Sequence, residues 1–170
     1  MNIINMNYYR ICKYDNAYRD ENGYYTKLDE WTSISDIGIG KTSDGRILTK
    51  KEYYATENHY IQCIQKILDA VNEPQAQICY LETWPYKKRK WAKQWYRRQK
   101  LSGGLLNLFM SDCLRERCYG VLKNDKFVWD VGWDYYMHVG CVLEPSVIEE
   151  IASSEGLFIT EWYKFYPFEP

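Results

Sequence analysis

Only two histidines, His59 and His138, occur in the 170 residues. The six cysteines (Cys12, Cys63, Cys79, Cys113, Cys118 and Cys141) are scattered, form no CxxC pair, and with the two histidines make no four-ligand zinc pattern. A zinc finger or a histidine-rich metal centre is therefore excluded by spacing. There is no stretch of about 18 apolar residues to cross a bilayer. Met1 to Tyr9 lacks the basic start and apolar run of a secretion signal. The expectation is a cytoplasmic protein with reduced, mostly buried thiols. GxSxG, HExxH, Walker and dinucleotide fingerprints are absent, and no acid, base and nucleophile set assembles by spacing. Gly38-Ile-Gly40-Lys41-Thr42 superficially matches a phosphate loop. It lacks the first glycine and follows no buried parallel strand, so it reads as a turn. The sequence thus predicts no catalysis, no cofactor and no metal.

What is abundant is aromatic surface, 17% of residues with 17 Tyr and 7 Trp, in a chain that is 46% apolar and 26% charged. That composition suits one globular domain over 1–170, with no repeat or linker to divide it. Net charge is −1, unevenly spread. Lys87 to Lys100 holds eight basic and no acidic residues, and the remainder carries 14 basic against 23 acidic. The chain reads as an acidic body bearing one basic segment.

Strand composition marks Met6–Tyr14, and alternation marks Glu30–Ile37. Thr49-Lys50-Lys51-Glu52 is a capping box. Beyond it Tyr53, Glu57, Tyr60, Ile61, Ile64, Ile67, Leu68 and Val71 form one stripe of an amphipathic helix, closed by Asn72 and Pro74. Ile78–Trp84 follows as a strand, Leu105–Arg117 as a second helix, then strands Tyr119–Lys123, Phe127–Val131 and Asp134–Val142. A short helix from Pro145 through Ser153 and a strand Leu157–Phe165 end the pattern. Clustered strands with about three helices predict an α+β fold with an antiparallel or mixed sheet.

Two constellations carry possible chemistry. Lys87, Lys88, Arg89, Lys90, Lys93, Arg97, Arg98 and Lys100 alternate with Tyr86, Trp91, Trp95 and Tyr96. Cations for phosphates beside aromatics for stacking is what nucleic-acid binding requires. A solvated helix or long loop pinned by Trp91 and Trp95 is the simpler account of the segment, and contact with an acidic partner or the protein's own acidic surface is a further one. Asp130, Asp134 and His138 would share one face of a continuous strand. A metal needs at least three converging ligands, and no other histidine is available except His59 on the first helix, so His138 reads as structural.

Leu114-Arg115-Glu116, the following hairpin, Trp133-Asp134-Tyr135-Tyr136-Met137, a short helix and Gly156-Leu157-Phe158-Ile159 together resemble small bacterial immunity proteins. These are encoded beside polymorphic toxins, including those of contact-dependent growth inhibition. The resemblance spans about residues 104–168. His138-Val139 stands where the family often has Tyr-Ile, and Thr160-Glu161-Trp162 precedes Tyr166-Pro167. It implies a non-enzyme whose partner is a cognate toxin domain, often a nuclease. An acidic, aromatic surface suits such a partner, because a nuclease must be basic to hold its substrate. Asp130, Asp134, Glu161 and Trp162, expected from one sheet, are the candidate contacts. Glu116 is set aside because Arg115 and Arg117 flank it. The alternative is a nucleic-acid-binding module using residues 86–100.

Overall fold

The computed structural model describes residues 6–83 and 94–162, the last two by their backbone alone. Lys87, Lys88, Arg89, Lys90 and Lys93 lie outside the described residues.

Among the described residues three α-helices and one seven-stranded antiparallel sheet give an α+β fold. The elements are β1 (Asn7–Cys12), α1 (Lys50–Ala70), β2 (Gln75–Glu82), β3 (Lys100–Ser102), α2 (Gly103–Leu114), β4 (Tyr119–Lys123), β5 (Phe127–Val131), β6 (Met137–Cys141), α3 (Pro145–Ser154) and β7 (Phe158–Trp162). The spatial order is β3-β2-β4-β5-β6-β1-β7. The first strand therefore lies between the last two, Tyr9 opposite Val139 on one side and Trp162 on the other.

α1 starts where its capping box directs. The Thr49 hydroxyl accepts from the Glu52 amide at 3.2 Å, and the Glu52 carboxylate accepts from the Thr49 amide at 2.9 Å. Its stripe is buried from Tyr53 to Leu68, Glu57 included. Alternate residues of the central strands (Tyr9, Ile11, Leu122, Trp129, Met137, Val139) join the same buried cluster. Each large apolar side chain in that cluster contributes about 1.5–3 kcal/mol through removal from water.

The structure departs from expectation where a side chain redirects the backbone. Glu30–Ile37 contains no strand. The Asp36 carboxylate accepts from the amides of Thr32 and Ser33 at 2.7 and 3.1 Å, curling Ile34–Asp36 into a 3-10 turn. Asp134 does not begin a strand either, since β6 starts only at Met137. α2 starts two residues early and stops at Leu114, where Glu116 turns the chain at φ 54°. Lys100–Ser102, expected as part of a basic segment and a break, forms the short edge strand β3 against Gln75–Gln77. Among the described residues no helix is long and apolar enough to cross a membrane.

Candidate functional site

A recess of about 660 Å³ opens at one end of the sheet. The end of β5 supplies Asp130, the start of β4 supplies Tyr119, and the end of β2 supplies Glu82. Glu116 enters from the turn after α2, while Trp133, Asp134 and Tyr135 come from the connection between β5 and β6.

That connection is a strained turn. Asp134 and Tyr135 sit at φ 55° and 62°, consecutive left-handed residues without glycine. Such a conformation costs about 1–2 kcal/mol per residue and persists only when its surroundings hold it. Here the Tyr14 hydroxyl donates to the Asp134 carbonyl at 2.6 Å, and the Tyr60 hydroxyl to the Tyr135 carbonyl at 2.8 Å. The Tyr135 ring is clamped by Trp31 and Tyr60, with centroids 5.0 and 4.9 Å away. With Tyr135 anchored inward, the residues before it are forced outward. Trp133 is 91% exposed, which is unusual for so large an apolar side chain, and Asp134 is exposed beside it.

Asp130 and His138 face each other across β5 and β6. The Asp130 carboxylate lies 2.8 Å from the His138 Nδ1 and accepts from the Tyr119 hydroxyl at 3.0 Å. Burial first, and then the Asp130 charge, push the Tyr119 hydroxyl above its ordinary range. Asp130 is 1% exposed, so it reaches an approaching molecule only through the recess. The single strand face imagined for Asp130, Asp134 and His138 is replaced by two adjacent strands and the turn between them. Among the described residues no cluster of three or more metal-ligating side chains forms.

Four carboxylates (Glu82, Glu116, Asp130 and Asp134) line the recess, and no lysine or arginine does among the described residues. Glu116 was set aside in sequence for its arginine neighbours, yet those turn elsewhere. Arg115 grips Glu57 at 2.5 and 2.8 Å, and Arg117 reaches Asp112 at 2.8 Å. On the inner wall Cys113 and Cys118 bring their sulfurs to 3.8 Å, and burial pushes the Cys113 thiol well up.

The other candidate contacts are not gathered here. Glu161 and Trp162 lie on β7, opposite Arg10 and Tyr9 and three strands from β5. At about 4.8 Å per strand that is roughly 14 Å away. Arg97, Arg98 and Lys100 are exposed at the opposite edge, where Arg98 turns at φ 70° and donates its amide to Ile78 at 2.7 Å. Trp133, Tyr119, Tyr135, Glu82 and Glu116 were not singled out as site residues from the sequence. Between the expected strands Phe127–Val131 and Asp134–Val142, Gly132 is a local turn signal, and it does not show which side chains the turn projects.

No protein-family model, no curated protein and no solved structure matches the chain.

Proposed function

We propose that the chain is a bacterial immunity protein that binds a cognate toxin domain and blocks it without catalysis. The observation that carries this reading is the acidic recess with Trp133 standing at its mouth. Carboxylates presented on a rigid sheet end attract a basic partner at long range and speed its capture. An exposed tryptophan fixed by a held turn loses little conformational freedom on binding and supplies the apolar anchor typical of an interface hot spot. The strain at Asp134 and Tyr135 fits the same role, because it maintains a presentation that the sequence alone would not favour.

The test is co-expression with the toxin domain encoded beside this chain's gene. The expected results are restored growth, a stoichiometric complex, and loss of protection with Trp133→Ala. A toxin that retains full activity in the presence of excess purified protein overturns the reading.

The competing class, a nucleic-acid-binding module, draws on the exposure of Arg97, Arg98 and Lys100. Salt-sensitive retention on heparin or RNA, lost when these three become Gln, would favour it over immunity.

A further inference from the structure

Lys13 directly follows β1, and its amide donates to the Tyr60 hydroxyl at 2.6 Å. Its side chain is 8% exposed and forms part of the wall of a second depression, of about 310 Å³. That depression shares no lining residue with the recess. The ammonium lies 2.6 Å from Glu30 Oε1 and stands over the rings of Tyr14 and Trp31, 3.9 and 4.2 Å from their centroids. The other Glu30 oxygen accepts from the Tyr25 hydroxyl. Glu52 and His59 of α1, and Glu155 just past α3, face the same space. Burial pulls the Lys13 ammonium down from the ordinary lysine range to about 8, against the hydrogen bond and charge of Glu30 and the smaller influences of Cys12 and Asp36. Near neutral pH part of this amine is therefore uncharged, the form that attacks a carbonyl carbon.

We propose that the Lys13 amine is a site of reversible condensation with a small, neutral, hydroxylated aldehyde held in this depression. The amine lone pair attacks the carbonyl carbon, the C=O π pair moves to oxygen, and the carbinolamine then loses that oxygen as water while the C=N bond forms. Overall one ammonium and one aldehyde give one protonated imine and one water, with no oxidant or reductant needed. Positive charge is conserved in the product, so Glu30 keeps its counter-ion and the Tyr14 and Trp31 rings keep a cation above them. Acylation would instead yield a neutral amide and strand the buried Glu30 charge, which selects an aldehyde over an acyl donor. Glu30, Glu52 and Glu155 line the depression against Lys13 and His59 as its only basic side chains among the described residues. An aldehyde carrying carboxylate or phosphate is therefore repelled, while hydroxyl groups find acceptors in those carboxylates. The volume lies at the small end of the range for small-molecule sites. This site is independent of the immunity reading.

The experiment incubates the intact chain with glyceraldehyde near neutral pH, traps imines with cyanoborohydride, and maps the resulting secondary amines by peptide mass spectrometry. Lys13 should be labelled at least tenfold faster than the exposed Lys51, because far more of its amine is uncharged at that pH. Its labelling should rise with pH through about 8. Glyoxylate, an aldehyde of similar size bearing a carboxylate, should label Lys13 at least tenfold more slowly than glyceraldehyde. Without the reductant the adduct should disappear on dialysis. Lys13→Arg, which keeps a cation beside Glu30, should fold and lose the fast-labelled peptide. Labelling of Lys13 no faster than Lys51, or equal labelling by glyoxylate and glyceraldehyde, overturns the proposal. Because the readout is a mapped adduct on the wild-type chain, neither result depends on whether a toxin is neutralised.

Discussion

Removing the Arg115 guanidinium tests whether the buried charge on α1 holds the recess in place. Glu57 is 4% exposed, and its carboxylate is satisfied by two Arg115 bonds at 2.5 and 2.8 Å and by the Ser111 hydroxyl at 3.2 Å. In Arg115→Met the carboxylate keeps only Ser111. Stranding a buried charge in this way costs about 3–5 kcal/mol, whereas an exposed pair is worth at most about 1 kcal/mol. The Arg115 side chain is itself 20% exposed, so water reaches the site and the lower figure applies. About 3 kcal/mol in a chain of this size lowers Tm by roughly 6–12 °C. Glu57→Gln combined with Arg115→Met should recover most of that loss, because the stranded charge is gone. Urea and thermal unfolding of the two single variants and the double variant close the cycle. A loss below about 1 kcal/mol in Arg115→Met, or a double variant no better than the single, would refute the reasoning.

Other outcomes follow from the same geometry. A Cβ at Gly120 meets the Phe109 ring, which is fully buried and cannot retreat, so Gly120→Ala should cost about 1–3 kcal/mol by urea titration. Trp133→Ala should shift stability by no more than about 0.5 kcal/mol while removing protection against the toxin; a large loss of stability would place Trp133 in the packing. Burial raises the Cys63 thiol to about 12 and the Cys12 and Cys141 thiols to about 11. The folded chain thus keeps protons that the unfolded chain begins to release near pH ~8.5, so stability is lost as pH rises through that value toward about 11. In reducing buffer the urea midpoint should fall over that window, less steeply in Cys63→Val, and an equal slope in both proteins would contradict this. Thiol titration of the denatured, unreduced protein should find all six cysteines, which are free in the structure, and a count of four or fewer would contradict that.

The parts legible in sequence are those whose cause is local. The capping box and stripe of α1 are readable because both are set within a few residues, and the stripe even contains Glu57, whose charge implies a polar partner elsewhere in the fold. The β4–β5 hairpin was readable for the same reason, closed by Asn124 and Asp125. What was not legible depends on distant residues. Asp134 and Tyr135 are held in left-handed conformations by hydroxyls from Tyr14 and Tyr60, which no local pattern near Gly132 reveals. β3 exists because Gln75–Gln77 offers it an edge, not because Lys100-Leu101-Ser102 favours extension. The recess draws on four separate stretches of chain, so its carboxylates could be found singly in the sequence but not as neighbours.

The place of β1 between β6 and β7 also sets when the recess can form during synthesis. At about 5–20 residues per second, the strand ending at Cys12 waits on the order of ten seconds before Met137–Cys141 is made to pair with it. Until then Tyr14 has no Asp134 carbonyl to hold. α1 with β2–β4, built from contacts closer in sequence, can assemble in that interval, while the turn that presents Trp133 cannot. A nascent chain is therefore unable to display the Trp133 turn early, and any ribosome stalled before β6 releases a product with an unpaired first strand and no recess.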